Sequence, residues 1–181
     1  MTTQPITLRQ IVIAAIAFVF VNLVAGYGIV LLGADIIQIY SNLNKPYFAP
    51  PTWVFGVVWT FNNIIVIYGI LRTINLPKSI LRTNLLGIDT LIAVNYMVFQ
   101  YLSFGSGILF GKIIPVMFFL PTFSMLILTI MAMNKAYQLD TQSITFKNKI
   151  LSGQSIFASY WSLFSWLIIA SALGLGIWIM N

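Results

Sequence analysis

Residues Tyr40–Thr60 read YSNLNKPYFAPPTWVFGVVWT. Pro46, Pro50, Pro51 and Lys45 stand among the aromatic residues Tyr40, Tyr47, Phe48, Trp53 and Trp59. Pro50-Pro51 cannot continue a helix arriving from upstream, whereas proline suits a helix start. The pattern therefore predicts that Pro51 opens a helix running through Trp53 and Trp59. Lys45-Pro46 predicts a turn that folds the segment back over whatever lies beneath it. An aromatic loop with rigid turns suits a lid over an apolar cavity. The same composition also suits an aromatic belt at a membrane interface.

The sequence on both sides decides the fold class. A membrane helix needs about 20 mostly apolar residues. Five stretches qualify, at about 11–32, 53–71, 85–104, 113–133 and 157–179. The chain has 181 residues, 60% hydrophobic and 7% charged, with a mean hydropathy of +0.97. A soluble domain carries roughly 25% charge, so the solvent of this fold is a bilayer. The expectation is an all-α integral membrane protein, one five-transmembrane-helix bundle over 1–181, with residues 33–52 as the lid loop. The first apolar run is longer than the usual signal-peptide core of about 7–15 residues, so it reads as a retained span.

Missing residue types exclude whole function classes. The chain has no His, no Cys and no Glu; its acids are Asp35, Asp89 and Asp140. Ser-His-Asp catalysis, His-ligated haem, thiolate zinc sites and iron–sulfur clusters are excluded. The expectation is no catalytic residue, no metal and no required cofactor, with binding, transport or sensing ahead of catalysis. The net charge of +6 sits beside the spans, where it meets lipid headgroups rather than nucleic acid. Arg9, Arg72, Lys78, Arg82, Lys135, Lys147 and Lys149 fall on one side, Lys45 and Lys112 on the other. The positive-inside rule then predicts the N-terminus inside and the C-terminus outside, in the plasma membrane if the source is bacterial.

Helical spacing selects candidate site residues. Phe55, Trp59, Asn62 and Val66 form one stripe of the second helix. A ring wall with one amide suits a flat lipophilic ligand with a polar edge, although tryptophan also serves as packing bulk. Asn95 and Phe99 share a face of the third helix. A buried amide in lipid needs a partner, either a neighbouring helix or a ligand. Asp89 reads as a near-interface acid paired to Arg82 or a loop lysine, or as a proton or cation site. Pro115 and Pro121 predict a kinked fourth helix or, for Pro115, a first-turn residue. The fifth helix carries small residues that permit close packing or a homodimer face.

The run Leu43–Thr60, with Lys45-Pro46, Pro50-Pro51-Thr52-Trp53 and Gly56-Val57-Val58-Trp59-Thr60 in one ungapped block, resembles the loop signature of the TspO/MBR family. These are the tryptophan-rich sensory proteins and the translocator protein, or peripheral benzodiazepine receptor. Elsewhere the chain departs from the pattern: Tyr96 and Val98 stand at tryptophan positions of the third helix, and the fifth helix keeps Trp166 without Pro-Tyr before it. The resemblance implies a divergent member with a lipophilic ligand under a lid, a tetrapyrrole such as protoporphyrin IX or a sterol or other lipid. It implies walls at Trp59 and Trp166, polar contact from Asn95 or Asn62, and further lining by Phe55 and Phe99. The implied lid comprises Tyr40, Lys45, Pro46, Phe48, Pro50, Pro51 and Trp53, with Lys45 as a partner for a propionate. Membrane lipid, a small lipophile and a second copy of the chain are the expected partners. Alternatives are light-dependent porphyrin degradation and a small channel or carrier using Asp89.

Overall fold

The computed structural model describes residues 5–141 and 146–181, with the side chains of Phe146 and Lys147 outside the description. Lys147, one of the predicted inside charges, thus has no described side chain. The described residues contain helices and no strand. Among them, five helices are long and apolar enough to cross a membrane: Leu8–Leu31, Thr52–Ile74, Ile80–Ser103, Val116–Thr141 and Ile156–Met180. They run beyond the apolar stretches at several ends because polar caps, not hydropathy, set helix termini. Thr7 and Gln10 form a capping box ahead of the first span, and the Ser79 hydroxyl accepts from the Arg82 N–H at the start of the third.

The fourth span is the hub, packing most extensively against the third and fifth. Leu85, Ile92, Met125, Ala132, Tyr160 and Leu167 form the core between them. Small residues bring the backbones close. A Cβ on Gly174 of the fifth span would collide with the Phe118 carbonyl of the fourth, and one on Gly69 of the second with the Ser159 hydroxyl. Close backbone approach of this kind drives helix association where water supplies no hydrophobic force.

Pro121 lies inside the fourth span. It has no N–H to give to Met117, four residues back. The Ser103 hydroxyl, on the third span, donates to that Met117 carbonyl at 2.6 Å. Thr122 donates to the Phe118 and Phe119 carbonyls, both at 2.9 Å. Pro115 precedes the helix, which begins at Val116.

The first span changes register midway. Leu23–Tyr27 is a π-helical turn, an arrangement often found at functional sites. Tyr101 donates to the Val24 carbonyl at 3.0 Å, and Gly28 leaves room for that hydroxyl, which a Cβ would strike.

Two acids stitch the other end of the bundle. Tyr160 donates to Asp89 Oδ1 at 2.7 Å. From the sequence, Asp89 is expected to pair with Arg82 or a loop lysine, or to serve as a proton or cation site. The partner is instead a tyrosine of the fifth span, because Asp89 is buried among helices. Asp140 accepts from the Ser155 hydroxyl at 2.8 Å and the Phe157 N–H at 3.0 Å, and pairs with Lys149 at 3.5 Å.

Candidate functional site: a lidded aromatic cavity

The lid grows from a short helix, Ile36–Asn42, whose start is capped by Asp35 Oδ1 accepting from the Gln38 N–H at 2.9 Å. Gly33, at φ +97°, makes the reversal out of the first span, a backbone state that suits glycine. The Ala49 N–H donates to the Pro46 carbonyl at 2.9 Å, closing the turn expected at Lys45-Pro46. Pro51 stands immediately before the second-span helix, and the Val54 N–H donates to its carbonyl at 3.0 Å.

Lys45 ties the lid to itself. Its ammonium donates to the carbonyls of Tyr40, Ser41 and Leu43 at 2.6, 3.1 and 3.1 Å, and lies 4.7 Å from the Tyr40 ring centroid. An ammonium has three hydrogens to donate, so these bonds occupy it. The buried Tyr40 donates to the Pro50 carbonyl at 2.9 Å. Burial pushes the Tyr40 hydroxyl up to about 12.

The lid is also fastened to the fifth span. The Asn44 N–H donates to Asn181 Oδ1 at 3.1 Å, and Asn181 Nδ2 donates to the Asn44 carbonyl at 2.8 Å. Pro46 packs on Gly176, where a Cβ would come within 2.9 Å of the ring.

Beneath the lid lies a cavity of about 980 Å³. Its aromatic lining includes three groups. Tyr40, Phe55 and Trp166 meet edge to face, with centroids 5.2 and 5.7 Å apart. Trp59 and Tyr96 lie 4.9 Å apart. Phe99, Phe104 and Phe118 form a third set, 5.2 to 6.5 Å apart. Gly26 and Gly56 line the cavity without side chains, and a Cβ on either would meet nothing within 4 Å.

The structure brings Phe55, Trp59, Phe99 and Trp166 together in this wall, with Tyr40 of the lid and Trp53, which stands in the first turn of the second span and not in the lid loop. Asn95, Asn62, Lys45, Pro46, Phe48, Pro50 and Pro51 stand outside the lining. Asn95 donates to the Ser124 hydroxyl at 2.7 Å, the neighbouring-helix partner that stood as one of its two expected partners, and so links the third and fourth spans. Asn62 is buried and accepts from the Ser162 hydroxyl at 2.5 Å, its Nδ2 unpaired. Phe48 packs on Tyr47 at the surface.

Polar lining comes from residues the sequence did not single out as site residues: Asn22, Asp35, Thr52, Thr60, Gln100 and Thr122, with Tyr96 beside them. Tyr96 donates to Asn22 Oδ1 at 3.5 Å, and Asn22 Nδ2 donates to the Phe18 carbonyl at 2.8 Å. The available signal was that Asn22 alone breaks the first apolar run. On the third span, Tyr96, Phe99 and Gln100 share the cavity face, which is one position on from Asn95.

Among the described residues, no group of three or more His, Cys, Asp or Glu could hold a metal. The arrangement can hold an apolar ring system.

No curated protein matches the chain. The TspO/MBR family model matches residues 12–179 of the 181. With five spans, the proline-rich lid and the aromatic cavity beneath it, the chain belongs to the TspO/MBR family, as an integral multi-pass membrane protein.

Proposed function

We propose that this protein holds a flat lipophilic ligand, of the tetrapyrrole or sterol class, in the cavity under the lid, and so serves in sensing, sequestration or transport. The observation that carries this reading is the size and wall of the cavity. Ligand pockets span about 300–1,000 Å³, and 980 Å³ stands at the upper end, where a large ring system fits. Nine of the lining residues are aromatic, and ring faces and edges favour a planar partner. Family membership supports a membrane ligand-binding role in general terms. The excess of Lys and Arg beside three of the polar segments supports an N-terminus on the inner side.

The test is binding of protoporphyrin dimethyl ester, which carries no charge, to the purified protein in a non-ionic detergent, read by its absorption band. The expected outcome is a saturable spectral change, with affinity lowered by about tenfold or more in Trp59→Ala. Competition by a sterol reports whether the same volume accepts both classes. A spectral change that never saturates, or one equal in Trp59→Ala and the wild type, would sink the reading.

A further inference from the structure

Asp89 and Thr129 each leave a buried oxygen unused. Asp89, on the third span, is 7% exposed; its Oδ1 accepts from Tyr160 and its Oδ2 has no partner. Thr129, on the fourth span, is fully buried, and its hydroxyl has no partner. That hydroxyl breaks a pattern. Thr60, Thr73, Thr83, Thr90, Thr122 and Thr141 each donate to the carbonyl four residues back, the local outlet for a hydroxyl in a helix. Packing places the two unused oxygens in one part of the bundle. The fourth span meets the third through Asn95 and Ser124, and the fifth through the stacked rings of Phe119 and Trp178. Its buried stripe of Met125, Thr129, Ala132 and Ala136 faces the angle between those two neighbours. The Asp89–Tyr160 bond crosses the same angle, from the third span to the fifth. Asp89 stands six residues before Asn95, and Thr129 five after Ser124. In antiparallel register the two therefore differ in depth by about one helical rise, about 1.5 Å. Asp89, Thr129 and Tyr160 are all absent from the lining of the lidded cavity.

From this placement we infer a binding site for a small monovalent cation between the third, fourth and fifth spans, held by Asp89 Oδ2 and Thr129 Oγ1 with the Tyr160 hydroxyl oxygen beside them. A carboxylate inside a membrane bundle is costly unless a positive charge answers it. Among the described residues, the ion pair formed is Lys149 with Asp140, so no side chain answers Asp89. Hard cations take oxygen ligands, and carboxylate and hydroxyl oxygens are what this place offers. Tyr160 spends its hydrogen on Asp89 and keeps lone pairs for an ion. Charge selects a monovalent ion: one carboxylate balances one positive charge, while Asp35 and Asp140 are engaged elsewhere, in the lid and beside Ser155. A cation here draws oxygens from three spans to one point, in a bundle whose helices have little hydrophobic force to hold them.

Thermal unfolding of the full chain in a non-ionic detergent tests this, at fixed ionic strength set by sodium, potassium or N-methylglucamine chloride. N-methylglucamine is too large for a buried site and supplies ionic strength alone. Sodium or potassium should raise the melting temperature by about 2–4 °C over N-methylglucamine, saturating with concentration. The more effective of the two ions reports the size of the site. Asp89→Asn keeps an oxygen for Tyr160 but removes the charge, and the rise should vanish. Thr129→Val keeps the shape and removes the hydroxyl, and the half-saturating concentration should increase by about tenfold. Thr129→Ser should restore it. Equal melting temperatures in the three salts, a rise that survives Asp89→Asn, or a half-saturation unmoved in Thr129→Val would overturn the assignment. Calcium acting at a lower concentration than either monovalent ion would overturn the choice of charge. The threonine variants keep the Asp89–Tyr160 bond, so they decide the matter even if Asp89→Asn fails to fold.

Discussion

Ser103 donates its hydroxyl to the carbonyl of Met117 at 2.6 Å, the oxygen that Pro121 leaves without a helical donor. The bond crosses from the third span to the fourth. It converts a break in one helix into a fixed contact with its neighbour, beside Phe118 and Thr122 in the cavity wall. Ser103→Ala should lower stability by about 1–3 kcal/mol, the cost of an unpaired buried acceptor. Thermal unfolding in detergent measures it. In a Pro121→Ala background the loss should shrink, because the restored N–H can serve Met117. An undiminished loss there would show that the two residues are not coupled.

Two glycines predict opposite outcomes for the same substitution. Gly174→Ala drives a Cβ into the Phe118 backbone and should destabilise by about 1–3 kcal/mol, as overpacking does. Gly56→Ala meets nothing within 4 Å, and should be neutral or stabilise by up to about 1 kcal/mol through helix propensity. Melting curves of the two variants, side by side, check the contrast.

Much of the fold is legible in the sequence, because bilayer thickness sets span length and proline sets helix starts. The lid was legible for the same reason: Pro46, Pro50 and Pro51 restrict the backbone locally. The face of the third span was harder. Asn95 drew attention as an amide in an apolar run, yet its partner is Ser124, and the neighbouring Tyr96 turns to the cavity. A single step along a helix rotates a side chain by roughly 100°, so spacing within one helix cannot fix which face meets which neighbour. Lys45 was equally opaque. Its three acceptors are backbone carbonyls, which no side-chain pattern announces.

Asp89 and Tyr160 form the second cross-span bond worth breaking. Tyr160→Phe removes the described partner of Asp89 Oδ1 and leaves Oδ2, already unpartnered, beside a second lone oxygen. The expected loss is about 1–3 kcal/mol. Asp89→Asn keeps a carbonyl oxygen for the tyrosine hydroxyl and should cost less. Chemical or thermal unfolding of both variants orders them, and the reverse order would show that the hydrogen bond is not what Tyr160 contributes.

The lid should loosen in alkali. Burial raises the Tyr40 hydroxyl from 10.0 to about 12, so the folded lid holds its proton more tightly than the unfolded chain does. Its contribution is complete below pH 10 and is lost as pH rises toward about 12. Protease nicking of residues 33–52 at increasing pH should rise over that window in the wild type. Tyr40→Phe has no such proton and should show no rise specific to it. A rise of equal size in both proteins would assign the effect elsewhere.

The π turn at Leu23–Tyr27 also constrains what the gene can tolerate. Such a turn closes through a hydrogen bond one residue longer than that of an α-helix. The turn takes up one residue more than α geometry would, so Asn22 and Val30, eight residues apart, come to one face that an unbroken α-helix would hold about 80° apart. Both residues now face the same cavity. One codon lost here would relax the turn to α geometry and leave the flanking faces aligned, whereas the same loss inside the α-helical stretch Leu8–Asn22 would turn every residue ahead of it by roughly 100°.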